Sequence, residues 1–260
     1  MAKKVRGKCC ICGEEATLSF EHIPPKSAFN KNSVNLYDFW GYILNNNSRY
    51  EPKQGGVGRN TLCQSCNSLT GEWYGAAYAE FAEQGMNYFK SEQEIVYIPF
   101  TIYPLRVFKQ IVSCFASTNG NQWCENNLQI RKFLLDRYER NFPTEIDIKM
   151  YMQKEGRSKI SGISGQMNVV TGERFMGSEW AFPPFGFIYV DDKNYTNYDS
   201  LNGLYSIMGF LEYEYDEVAT IDILMPRKPC NPTILDFRES FPSIESIIKS
   251  GKKQQKGPQN

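Results

Sequence analysis

The chain has 260 residues, 41% apolar and 22% charged, enough for one large globular unit or two small ones. Lys plus Arg and Asp plus Glu number 29 each; zero net charge excludes coating nucleic acid by bulk charge alone, though not a local basic groove. No apolar run approaches the roughly 18 residues of a membrane span, and the basic start MAKKVRGKCC lacks an apolar stretch behind it, so a soluble cytoplasmic protein is expected.

The first element in chain order is a cysteine pair, Cys9-x-x-Cys12, followed by Gly13. A second pair, Cys63-x-x-Cys66, is followed by Asn67. The x-x spacing in a tight turn points two thiolates at one ion, and two such pairs complete a tetrahedral structural Zn²⁺ site. Cys10, one residue along, should point away from the ion. A redox C-x-x-C needs only one pair and a βαβ context that is missing here. Two unrelated turn cysteine pairs are the plain alternative. Cys114, Cys124 and Cys230 fit no such spacing and are expected as ordinary thiols.

A strand is expected over residues 16–21, leading into Phe20-Glu21-His22-Ile23-Pro24-Pro25-Lys26-Ser27. His22 is the only histidine of the chain. An imidazole can serve as a base near neutral pH, and the adjacent Glu21 offers a hard oxygen ligand to a divalent cation. The prolines fix the chain direction after it. Tyr37, Phe39, Trp40 and Tyr42 follow among asparagines; they either stack on unpaired bases or pack an inserted turn onto the finger. Gly55-Gly56-Val57-Gly58-Arg59 reads as a flexible basic turn, without the ending of a nucleotide-binding loop. A helix starts near Asn67, with Leu69, Trp73, Ala77 and Phe81 as its buried stripe. Gly71 and Gly75 weaken it, so it needs tertiary packing.

The order C-x-x-C, Glu21-His22-x-x-Pro25, Asn60, then Leu62-Cys63-x-x-Cys66-Asn67 resembles the zinc-bound HNH endonucleases, with their treble-clef ββα-metal finger. The resemblance covers residues 9 to 90. It implies a metal-dependent endonuclease acting on DNA, in a setting such as restriction or antiphage defence. It makes His22 the general base, Glu21 and Asn67 the ligands of a catalytic Mg²⁺ or Mn²⁺, and Asn60 the brace of the loop under the histidine. Lys26 and Arg59 are the candidate phosphate contacts. Two other readings stay open: a non-catalytic zinc module binding nucleic acid or protein, and an endonuclease acting on RNA.

Beyond a boundary at residues 95–96, Pro104 to Ser117 and Leu128 to Tyr138 read as helices. Ile146, Ile148, Met150 and Met152 alternate with polar or aromatic neighbours, a half-buried strand. A hairpin at 169–175 and strands at 185–190 and 218–225 follow, then a short helix at 242–250. The expected architecture is therefore α+β: a zinc-stapled finger (1–95), an α+β domain with a mostly antiparallel sheet (96–250), and a disordered basic tail (251–260). No second catalytic constellation appears in the C-terminal half. Tyr195, Tyr198 and Tyr205 could line a surface for a protein partner or a small-molecule activator, or simply pack.

Overall fold

A computed structural model of the chain describes residues 5–37, 50–154, 158–167, 174–191, 201 and 203–228. Phe39, Trp40, Tyr42, Tyr195, Tyr198, Cys230, the tip of the expected hairpin, the helix at 242–250 and the basic tail lie outside the described residues. Among the described residues no helix is long and apolar enough to cross a membrane.

The N-terminal part is a three-stranded antiparallel sheet of β1 (Val5–Lys8), β2 (Glu15–His22) and β5 (Gly58–Cys63), in the order β1-β2-β5. Between β2 and β5 the chain makes a two-stranded excursion, β3 (Val34–Tyr37) with β4 (Tyr50–Lys53). Helix α1 (Gln64–Thr70) leaves β5 directly, and Cys63 caps it by accepting from the Cys66 amide. The helix then widens into a π-turn over Gly71–Gly75 and resumes as α2 (Ala76–Met86). The expected helix is therefore present, and Ala77 and Phe81 of its expected stripe are buried, but the first half differs: Thr70 and Tyr74 face inward, with Tyr78, whereas Leu69 and Trp73 are only half-buried. A π-turn adds a residue per turn and rotates the stripe; two glycines bounding it weaken the α-helical alternative.

The rest is a mostly antiparallel sheet with helices packed on it, a mixed α+β architecture. Its main path runs β6 (Ile95–Ile102), β12 (Ala219–Lys228), β7 (Ile146–Gln153), β10 (Phe185–Asp191), β9 (Arg174–Phe182), β8 (Lys159–Met167), with β11 (Tyr205–Ser206) pairing β7. Only the β12–β7 contact, at Arg227 and Lys228, is parallel. Strand β6 is not legible as a strand from the sequence. Its residues alternate exposed and buried, yet nearly all are apolar, so the period of two is hidden in IVYIPFTI.

Helix α3 (Pro104–Asn119) is the hub of the molecule. Fourteen of its residues are buried, including Lys109, Ser113 and Ser117. Two shorter helices follow, α4 (Asn121–Asn126), which was not expected, and α5 (Leu128–Leu135). Lys109 Nζ donates to the carbonyls of Phe133 and Asp136. It thereby closes the C-terminal end of α5, which stops short of the expected Tyr138. Burial lowers the Lys109 ammonium to about 7. One continuous apolar cluster runs from Cys9 through Phe81, Phe108 and Trp180 to Met225, spanning both parts of the chain.

Candidate functional site

The two C-x-x-C pairs meet. The sulfurs of Cys9, Cys12, Cys63 and Cys66 all lie within 4.8 Å of one another, close enough to hold a metal ion. Tetrahedral zinc at 2.3 Å from each sulfur puts sulfurs roughly 3.8 Å apart, and Cys12 Sγ stands 3.9 Å from Cys63 Sγ. The first pair sits in a tight turn closed by Gly13 N to Cys9 O at 2.9 Å, with Gly13 at φ 81°. The second spans the β5–α1 junction, where Cys66 N donates to Cys63 Sγ at 3.5 Å. The residues fit a soft divalent cation such as zinc with no open position, which makes the centre structural. The neighbouring Cys66 thiol holds Cys9 down to about 4 and is itself pushed up in return. Cys10 stands outside the cluster, and burial pushes its thiol up to about 12, as for an inert core cysteine.

His22 closes strand β2 and is half-buried. Its Nε2 lies 2.8 Å from the carbonyl oxygen of Gly55. A carbonyl can only accept, so Nε2 carries a proton, and of the two ring nitrogens Nδ1 is the one with a lone pair to offer when the ring is uncharged. The Phe20 ring contacts the imidazole edge-on, with centroids 5.0 Å apart.

The loop that supplies this carbonyl is fixed by Asn30, which is fully buried. Asn30 Nδ2 donates to the carbonyls of Pro24 at 2.7 Å and Val57 at 2.8 Å, and Asn30 Oδ1 accepts from Val57 N at 2.7 Å. Gly56 admits this contact: its φ is 99°, and a Cβ there would stand 2.3 Å from the Asn30 carbonyl oxygen. Asn30, rather than Asn60, ties down the loop beside the histidine. Asn60 is an exposed residue of β5, opposite Phe20. The signal for Asn30 was weak, an asparagine between turns whose partner is 27 residues away.

Glu21 and His22 point to opposite faces of β2, as neighbours in a strand must. The Glu21 carboxyl is 4% exposed and faces α3. It accepts from the hydroxyls of Ser117 and, at 3.4 Å, Ser113. Burial pushes it up to about 8, against the opposing pull of the two serines. Turned into α3 and on the face of β2 opposite His22, the carboxyl does not stand beside the imidazole. The expected pairing of Glu21 with Asn67 around a catalytic Mg²⁺ or Mn²⁺ does not fit this arrangement. Asn67, in α1, is half-buried, and its Nδ2 donates to Ser19 Oγ at 3.0 Å and to the Phe20 carbonyl at 3.1 Å. Those bonds leave out Oδ1, the atom that would ligate a cation.

Lys26 is exposed in the turn after the prolines. Arg59 pairs with Glu21 across the strands, on the face away from His22, and its Nη1 donates to the Thr118 carbonyl at 2.9 Å. It is therefore a tie between β5 and α3, not a phosphate contact beside the imidazole.

Comparison of the chain with known protein families, curated proteins and solved structures finds no match in any of the three.

Proposed function

We propose that the protein is a zinc-stapled, treble-clef endonuclease of HNH type that hydrolyses phosphodiester bonds in DNA, with His22 as its general base. The observation that carries the reading is the hydrogen bond from His22 Nε2 to the Gly55 carbonyl. It orients the only imidazole of the chain at the open end of β2. With the proton held on Nε2, Nδ1 is the atom left to take a proton from an attacking water. Asn30 holds the carbonyl loop in place, so the ring is preorganised. The four-thiolate centre pins β5 and α1 beside this strand and takes no part in the chemistry. Lys26, exposed four residues beyond the imidazole, is the proposed phosphate contact.

The reading carries a Mg²⁺ or Mn²⁺ requirement from the resemblance. Asn67 Oδ1 is the protein atom on offer, but no step assigned to His22 depends on the cation. A second reading is a non-catalytic zinc module that binds nucleic acid or protein. It is favoured by one observation, the burial of Glu21 away from the imidazole.

The test is nicking of supercoiled plasmid with Mg²⁺ or Mn²⁺, with and without EDTA, beside His22→Ala. The nuclease reading expects nicking that EDTA stops and the variant lacks, while zinc content and thermal midpoint stay unchanged. Equal behaviour of the two proteins supports the binding module. Cleavage of structured RNA in place of plasmid moves the reading to an RNA endonuclease.

A further inference from the structure

Phe20 is an aromatic residue that the fold fixes in place and yet leaves 44% exposed. Three features fix it. The register of β2 against β5 shifts between Ser19 and Phe20, and an irregularity of this kind re-aims the side chain it carries. The Phe20 carbonyl accepts from Asn67 Nδ2 at 3.1 Å, which ties this point of the strand to α1. The ring then lies across Gly58, the residue opposite His22: a Cβ there would stand 2.9 Å from Phe20 Cε1. With no side chain at Gly58, the ring reaches the imidazole, their centroids 5.0 Å apart.

A ring that only steadied the imidazole would gain by being covered, since burial of apolar area is favourable. Phe20 instead keeps open area on the face where His22 stands. A phenyl ring offers neither charge nor hydrogen bond, so that area suits an apolar or π surface. On the reading of His22 as general base, the molecule that reaches this face is a nucleic-acid strand, and its π surfaces are its bases. Inside a duplex both faces of a base are already stacked. An unpaired base has a face to give, and aromatic side chains take it with little regard for sequence.

We propose that Phe20 is the platform on which an unpaired base next to the scissile phosphate stacks, so that the preferred substrate is a single strand, or the unpaired part of a junction, rather than continuous duplex. The identity of the strand rests on the nuclease reading. Plasmid nicking is compatible with this preference, because negative supercoiling favours local strand separation.

The test is fluorescence anisotropy of the full-length, zinc-loaded chain without added Mg²⁺ or Mn²⁺, using one DNA oligonucleotide of mixed sequence as single strand and as duplex. The single strand is expected to bind at least about fivefold more tightly than the duplex, the lower end of what one stacked base contributes. Phe20→Ala should lose about that factor for the single strand and leave duplex affinity unchanged, while Phe20→Trp keeps the preference. Phe20→Leu, apolar but without a π face, should behave as the alanine variant and carries the test if that variant loses its zinc or thermal midpoint. Equal affinity for the two forms, or a single-strand preference that neither the alanine nor the leucine variant alters, overturns the proposal and leaves Phe20 as a support for the imidazole. Because binding is read without cleavage, the two readings fail separately. Phe20-dependent binding without nicking keeps the platform and removes the nuclease; nicking without a Phe20-dependent preference does the reverse.

Discussion

Replacing Glu21 by glutamine should stabilise the protein, and by an amount that grows with pH. In the folded chain the carboxyl is raised from its ordinary 4.5 to about 8, chiefly by burial. A raised acid contributes its full stability below the unfolded value and loses it as pH climbs to the folded one. Between pH 4.5 and 8 the unfolded chain releases this proton while the folded chain keeps it, so stability falls. At pH 7 the gap from 4.5, at about 1.4 kcal/mol per unit, makes the penalty roughly 3 kcal/mol. The uncharged glutamine side chain would carry no such penalty, and its amide can still meet the Ser113 and Ser117 hydroxyls. At about 2–4 °C per kcal/mol for a chain of this size, the variant should melt about 6–12 °C above the parent at pH 7. The two should coincide near pH 4. Calorimetric melting with zinc present, at pH 4, 5.5, 7 and 8, measures the difference. A midpoint difference independent of pH, or a variant less stable at pH 7, would refute the assignment of Glu21 as a buried neutral acid. A Glu21→Gln protein that is stable yet fails to nick plasmid would return Glu21 to the role of cation ligand.

Three further outcomes are expected. Asn30→Ala removes three buried hydrogen bonds and should cost roughly 2–4 kcal/mol in urea unfolding; nicking should fall with it, because the Gly55 carbonyl loses its support. Cys66→Ser should halt binding of a stoichiometric zinc ion, measured by metal analysis, and a strong chelator should lower the melting midpoint of the parent but not of the variant. Lys159→Met leaves the fully buried Glu179 carboxylate without the ammonium 2.8 Å away, and should cost about 3–5 kcal/mol by denaturant titration.

What could be read from the chain divides by sequence distance. The metal centre was legible because each half is a local turn with fixed ligand spacing, and only the meeting of the halves is tertiary. Strand β2, the long helices and β7, β10 and β12 of the large sheet were legible in the sequence. Strand alternation alone separates Glu21 from His22, but what covers Glu21 was not readable: Ser113 and Ser117 lie 92 and 96 residues away. The same limit hid Asn30. Its neighbours in sequence do not show that its amide ends on Val57. The first half of the helix stripe was misplaced, Leu69 and Trp73 standing where Thr70 and Tyr74 are buried, because a π-turn between two glycines has no periodic signature; Ala77 and Phe81 were placed correctly. The resemblance supplied the order of the functional residues, but not the direction in which each side chain points.

Because α3 supplies the hydroxyls that receive Glu21 and the carbonyl that receives Arg59, the N-terminal sheet does not own its inner wall. A fragment ending at residue 95 would bare that wall to water. Its acid would ionise in the ordinary range, and Phe81 would lose its stacked neighbour Phe185. The two parts share one core, and dissecting the chain to ask which part holds the activity would remove the support of both.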